Sequence, residues 1–201
     1  MNRVSGFSLI EVLITFVVIS VGLLGYAALQ MGALNSSIDS FSRSQATLLL
    51  ENVATRVSGN KAYLQKDIAL LDTPNIYIGN NTSGQYLQWC DNSSGNVPEA
   101  ACSGGNSCIL ANRAKQDIHE VCTTLMETRL PEATLGVACY DRDNSDADNC
   151  SYGSRMSLYM AWKGKERKDV SGKSSYVQNT RCQTEVGLSS DYACVQMELV
   201  P

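Results

Sequence analysis

Met1-Asn2-Arg3-Val4-Ser5-Gly6, then Phe7-Ser8-Leu9-Ile10-Glu11-Val12-Leu13-Ile14, open a chain of 201 residues, and their order decides how the rest is read. A short leader carrying one cation, Arg3, ends on a small residue, Gly6. An apolar run then continues to Leu34 with Glu11 as its sole charge. A secretory signal places its small-residue cleavage site after the apolar stretch. Here the small residue comes before it, and the far end has no clear small-x-small site. Twenty-eight residues of helix rise about 42 Å at ~1.5 Å each, enough to cross a hydrocarbon core. The pattern predicts a leader over residues 1–6, a membrane-spanning half-helix over 7–34, and a head over 35–201 that includes an amphipathic second half of the same helix. Arg3 favours a cytoplasmic N-terminus, which puts the head across the membrane.

The cysteines agree with that placement. All eight, Cys90, Cys102, Cys108, Cys122, Cys139, Cys150, Cys182 and Cys194, lie in the polar part and none in the apolar run. An even set confined to one domain beyond a hydrophobic segment reads as a disulfide framework in an oxidising compartment. A zinc site is the competing reading, disfavoured by a single histidine, His119, and by the lack of any C-x-x-C pair. With 44% hydrophobic and 18% charged residues and a net charge of −4, the composition argues against disorder. It equally argues against nucleic-acid binding, which needs an excess of Lys and Arg to neutralise phosphates.

Glu11 has two readings. A carboxylate near the centre of a membrane helix costs roughly 2.5–3.5 kcal/mol, and less near an end. It can be tolerated in the first turn, helped by the positive end of the helix dipole. If the leader is removed, Phe7 instead carries a new ammonium. Glu11, four residues on, then balances a buried N-terminal charge in its own or a neighbouring helix.

Gly6-Phe7-Ser8-Leu9-Ile10-Glu11 ahead of a long apolar helix resembles the N-terminal signal of type IV pilins and type II secretion pseudopilins. The resemblance implies cleavage between Gly6 and Phe7 by prepilin peptidase, N-methylation of Phe7, and a docking role for Glu11 as subunits enter a fibre. Gly22, Gly25 and Gly32 interrupt the helix at ~1 kcal/mol each in water. Membrane helices tolerate glycine and use it for close packing; the family offers the alternative of local melting inside the fibre. Gly22-Leu23-Leu24-Gly25, Leu29-Gln30, Ala46, Val53-Ala54, Arg56, Asn60 and Tyr63, with Leu130-Pro131 further on, resemble the type IV pilus modification protein family PilV. That resemblance implies a minor pilin in a tip-associated complex that initiates pilus assembly and supports twitching motility and adhesion. The implied partners are other minor pilins, the major pilin, prepilin peptidase and the inner-membrane assembly platform. The implied location is the inner membrane of a Gram-negative bacterium with a periplasmic head, then the pilus. A type II secretion pseudopilin, and a tip adhesin or DNA-uptake receptor, are the alternatives.

Periodicity sketches the head. Phe41, Leu49, Val53 and Val57 share a helix face, with Ile38, Ala46 and Leu50 beside it and Ser58-Gly59-Asn60 as a stop. One helix is predicted from Phe7 to Ser58 and a second from Asn112 to Arg129. Strands are predicted at Gln85–Trp89, Leu135–Tyr140, Leu158–Trp162 and Val195–Leu199. The fold class is therefore α+β, a long helix packed on an antiparallel sheet in a disulfide-rich head, and the resemblance implies the pilin fold. Trp89 and Trp162 read as core or sheet-face residues more readily than as a sugar platform.

The preferred cysteine pairs are Cys182–Cys194, stapling a C-terminal hairpin as in many pilins, with Cys139–Cys150, Cys102–Cys108 and Cys90–Cys122. Asp141, Asp143 and Ser145 begin like a calcium loop, but Asp146 replaces the loop glycine and the closing glutamate is missing, so a solvated acidic loop is favoured. Lys163, Lys165, Arg167, Lys168 and Lys173 are expected in a turn after the Trp162 strand, where charge keeps a turn solvated; near Tyr159 and Tyr176 they are also what a DNA receptor would use. No Ser-His-Asp set, phosphate-binding glycine loop or cofactor motif is found, and His119 reads as a surface histidine.

Overall fold

A computed structural model describes residues 8–64, 75–102, 108, 110–143, 145, 149–165, 167–168, 174–175 and 179–201. The helices are α1 (Leu9–Gly59), α2 (Lys61–Leu64), α3 (Leu110–Glu127) and α4 (Thr180–Val186). The strands are β1 (Leu87–Asp91), β2 (Thr134–Tyr140), β3 (Arg155–Lys163), β4 (Arg167–Lys168), β5 (Ser174–Ser175) and β6 (Tyr192–Leu199). The chain divides into two units, Met1–Phe41 and Ser42–Pro201.

In the second unit, β1, β2, β3 and β6 form one antiparallel sheet in the order β1-β2-β3-β6. Alternate residues of each strand point to opposite faces. Leu135, Val137, Met156, Leu158, Met160 and Trp162 face the main core. There they meet Leu49, Leu50, Val53 and Val57 of α1 and Val121 and Leu125 of α3. Tyr159, Ala161 and Cys194 face the other way and are covered by Cys182, Val186 and Leu188, from α4 and just beyond it. The sheet is thus packed on both faces, which is why β3 reads as an apolar run with little alternation.

The predicted elements are present with ends shifted by a few residues, and Phe7 lies outside the described residues. Two expectations need correction. Ile38 and Phe41 are 51% and 62% exposed, and the packed face of α1 begins at Ala46. Their helical spacing matches the buried stripe, but burial along α1 does not extend to them. Cys182 lies not in a hairpin strand but in α4. The Asn179 side chain caps that helix by accepting from the Cys182 N–H, and Gly187 ends it at φ +77°, a conformation that glycine adopts without a Cβ penalty.

The disulfides are Cys90–Cys122, Cys102–Cys108, Cys139–Cys150 and Cys182–Cys194, the pairs preferred above. They join β1 to α3, close the loop before α3, bridge the β2–β3 connection and fasten α4 to β6. Closing a ~15-residue loop this way stabilises by about 3 kcal/mol in the chain-entropy account.

Gly136 sits opposite Tyr159 in the β2–β3 ladder. A Cβ built on it would lie 2.2 Å from the Leu87 carbonyl oxygen and 2.5 Å from the Tyr159 ring. The aromatic side chain fills the space of the missing one and sits edge-on to Tyr86 at 5.2 Å. Gly136→Ala should therefore destabilise the head by about 1–3 kcal/mol through overpacking, roughly 2–12 °C in Tm for a chain of this size. Thermal unfolding of the full chain in detergent checks this; an unchanged Tm would mean that both the Leu87 carbonyl and the Tyr159 ring move aside.

Candidate assembly surface and the network behind it

The helix portion before Ser42 has no core of its own. Ser8 starts it, its carbonyl accepting from the N–H groups of Glu11 and Val12 at 3.0 and 3.3 Å. Leu9, Ile10, Leu13, Ile14, Phe16 and Val17 are all more than half exposed, and so are Leu23, Leu24 and Leu29 further along. Apolar residues on every side mark a helix meant for lipid or for other helices. An 18-residue window here reaches a mean hydropathy of 2.4 with none of it buried in the chain. The polar side chains comply with such surroundings: Thr15 and Ser20 donate to the carbonyls of Val12 and Phe16 within the helix. α1 runs unbroken through Gly22, Gly25 and Gly32, and a Cβ added at any of them meets nothing within 4 Å. Among the described residues, no contact requires those glycines.

Glu11 lies exposed in the first turn of α1, where its charge complements the helix dipole. Gly6 and Phe7 lie outside the described residues.

The other end of α1 is anchored by a buried polar network. Asp117 of α3 is 2% exposed. One of its oxygens accepts from the Tyr77 hydroxyl at 2.7 Å, and the other faces Arg56 of α1 at 3.5 Å and Arg113, one turn back, at 3.4 Å. Arg56 also pairs with Glu120. The Asn60 amide, just past α1, donates to the Tyr77 hydroxyl at 3.2 Å and to the Leu110 carbonyl at 3.1 Å. The Tyr63 hydroxyl accepts from the Ile76 N–H at 2.9 Å. Arg56, Asn60 and Tyr63, which carried the family resemblance, thus share one job: they fasten the end of α1 to the 75–79 turn and to α3.

Burial, together with the hydrogen bond to Asp117, pushes the Tyr77 hydroxyl far above its usual range. The hydrogen bond from Gln116, helped by Arg56, outweighs burial and holds the Glu120 carboxyl below its usual value. Among the described residues, every buried side-chain nitrogen or oxygen has a partner.

Sequence reading missed Asp117 and Tyr77. A signal was present for Asp117, an acid on the apolar face of α3 next to Ile118 and one turn from Ala114 and Val121, which calls for a cation from elsewhere. Tyr77, in irregular chain, gave none.

The other candidates have structural roles. Asp141 accepts from Ser151 N–H and Oγ at 2.9 and 2.6 Å and from Ser154 Oγ at 3.1 Å. Partial burial works against its charge, yet these bonds hold its carboxyl below the usual value. Asp143 accepts from the N–H and hydroxyl of Ser145. These oxygens tie the Cys139–Cys150 loop to itself and to Ser151 and Ser154 just beyond it, and among the described residues no group of three or more His, Cys, Asp or Glu side chains could hold a metal. Lys163 pairs with Glu132 at 2.8 Å. The backbone of Arg167–Lys168 pairs with Ser174–Ser175, so the expected simple turn is a small two-stranded ribbon; Lys173 and Tyr176 lie outside the described residues. His119 is not a free surface histidine: it is half-buried and its Nδ1–H donates to the Pro98 carbonyl at 2.6 Å. Trp162 is buried and Trp89 half-buried against the same core.

Two features call for explanation: an exposed apolar helix segment with Glu11 in its first turn, and a separate disulfide-bonded unit, Ser42–Pro201. Residues 1–27 match the prokaryotic N-terminal methylation motif. That segment is the signal found on type IV pilin-like proteins, pseudopilins included, and together with the apolar helix it fits membrane anchoring and pilin-type assembly. No curated protein and no solved structure matches the chain.

Two substitutions test the network. Tyr77→Phe should cost about 1–2 kcal/mol. Asp117→Ala, which strips both Tyr77 and Arg56 of a buried partner, should cost about 3 kcal/mol or more. Denaturant unfolding of the full chain in detergent reads both, and the double variant should cost less than the sum. The folded-state pKa of Tyr77 lies above the unfolded value of about 10, so its contribution is complete below that pH and is lost as the pH rises beyond it. An ultraviolet titration should accordingly find Tyr77 ionising only together with alkaline unfolding.

Proposed function

We propose that this chain is a minor type IV pilin of the PilV kind, a subunit that helps initiate pilus assembly from a tip-associated complex. The methylation motif over residues 1–27, running into an apolar helix segment left exposed among the described residues, carries the reading. Before assembly the helix anchors the chain in the inner membrane with its head in the periplasm, where the four disulfides would form. Prepilin peptidase cuts between Gly6 and Phe7, and the new N-terminus at Phe7 is methylated.

The chemistry of docking then follows from low dielectric. An ammonium at Phe7 cannot enter a helix bundle uncompensated. Glu11, the sole charge from Phe7 to Leu34, supplies the compensating carboxylate to its own or a neighbouring N-terminus, and the apolar helix contributes packing area. The head takes no catalytic part; it supplies the surface that makes a minor subunit different from a bulk one.

A type II secretion pseudopilin is the second reading, favoured by the same motif, which both classes share. Deleting the chain separates them: loss of surface pili supports the minor pilin, and loss of secreted enzymes supports the pseudopilin. Within either assembly, Gly6→Leu should leave a precursor whose mass retains residues 1–6. Glu11→Ala should leave processing intact but lower incorporation into sheared fibres by roughly tenfold or more, since an unpaired buried charge costs about 3–5 kcal/mol. Normal incorporation of Glu11→Ala would end the docking role assigned to this residue.

A further inference from the structure

Beside β1 lies an open groove of about 580 Å³. Its walls are the strand itself, with Leu87 and Trp89, and one face of α3, with Lys115 and Ile118; Pro98 to Ala101 closes the third side. The size falls in the range of ligand-binding clefts, and the walls are fixed before anything enters. The Cys90–Cys122 disulfide joins strand to helix. Gln116 accepts from the N–H groups of Ala101 and Cys102, both at 3.2 Å, and His119 holds the Pro98 carbonyl, so the loop is tied to α3. Trp89 is set by the bond from its indole N–H to the Tyr77 carbonyl at 2.8 Å, which connects the groove to the network under α1.

We infer that this groove takes an extended segment of a neighbouring pilin subunit, added as a fifth strand along the free side of β1. The inference rests on the assembly reading above. β1 ends the sheet order, and among the described residues no strand pairs with its outer side. An edge strand leaves alternate N–H and C=O groups as a template for another chain. A groove between an edge strand and a helix suits an extended peptide, with main-chain bonds for affinity and pockets for every second side chain. β1 has five residues, with a register irregularity between Gln88 and Cys90, so a matching strand is at most about 17 Å long and bends at Trp89. Leu87, Trp89 and Ile118 call for large apolar side chains at alternate positions. Exposed Lys115 on the helix wall and exposed Glu99 on the loop wall call for an acid towards α3 and a base towards the loop. Preformed walls lower the cost of ordering on binding.

The test uses the full chain in the cells that assemble it. The photoreactive amino acid p-benzoylphenylalanine is placed at Gln88, which is exposed and lines the groove, or as a control at exposed Thr184 on α4. After irradiation, cross-links from Gln88 should map by mass spectrometry to an extended segment of another pilin, at least fivefold above the Thr184 control. Ala100→Trp, which fills the groove, should lower incorporation into sheared pili at least fivefold with Tm unchanged; Lys115→Glu, which reverses one wall's charge, should do so without added bulk. If the chain is present in pili but Gln88 links only to the chain's own residues, or no more than the control does, the inference falls and the assembly reading stands. Parental incorporation of both variants overturns it equally. If the unsubstituted chain is absent from pili, the assembly reading falls and the inference with it.

Discussion

Asp117, a carboxylate 2% exposed inside the head, is shared by three parts of the chain that are far apart in sequence. Arg56 reaches it from α1, Tyr77 from the 75–79 turn, and its own helix supplies Arg113. Removing such a charge from water costs several kcal/mol, repaid only by well-placed donors on every side. α1, the turn and α3 are therefore held in one arrangement, because any displacement leaves a buried charge short of partners. Asn60 and Tyr63 extend the constraint to the residues where α1 ends. The wall of the groove depends on it as well, since Tyr77 holds Trp89 through its carbonyl.

The disulfides act at different places from this network, apart from Cys90–Cys122, which links β1 to the same α3 that carries Asp117. Cys182–Cys194 fastens α4 across the face of the sheet that Gly136 and Tyr159 pack. A head built from short strands and long connections buries little per residue. Covalent closure removes entropy from its unfolded chain and so supplies stability that packing alone would not. Such bonds need an oxidising compartment, which fits the placement proposed for the head.

The legible parts of the fold are those where one face meets water and the other meets protein. α3 and the main strands showed the alternation or helical spacing that such a boundary imposes. Phe41 and Ile38 did not fit, because periodicity reports which residues share a face and not where the covering layer ends. His119 was misread for the opposite reason: its partner is the carbonyl of Pro98, and a main-chain acceptor leaves no trace in a side-chain pattern. Asp117 had a trace of its own, an acid on an apolar face, but its partners came from 61 and 40 residues away.

The opening segment, Gly6 to Glu11 ahead of an uninterrupted apolar run, was readable from sequence alone, and so were the α+β class and the confinement of the cysteines to the head. Local chemistry decides these things: charge placement, periodicity and composition act within a few turns of helix or strand. Tertiary structure decided that Arg56, Asn60 and Tyr63 serve one buried network, that Gly136 makes room for Tyr159, and that a groove opens between β1 and α3. Those facts depend on which distant residues come together when polar groups must find partners out of water, and that is settled only once the whole chain is packed.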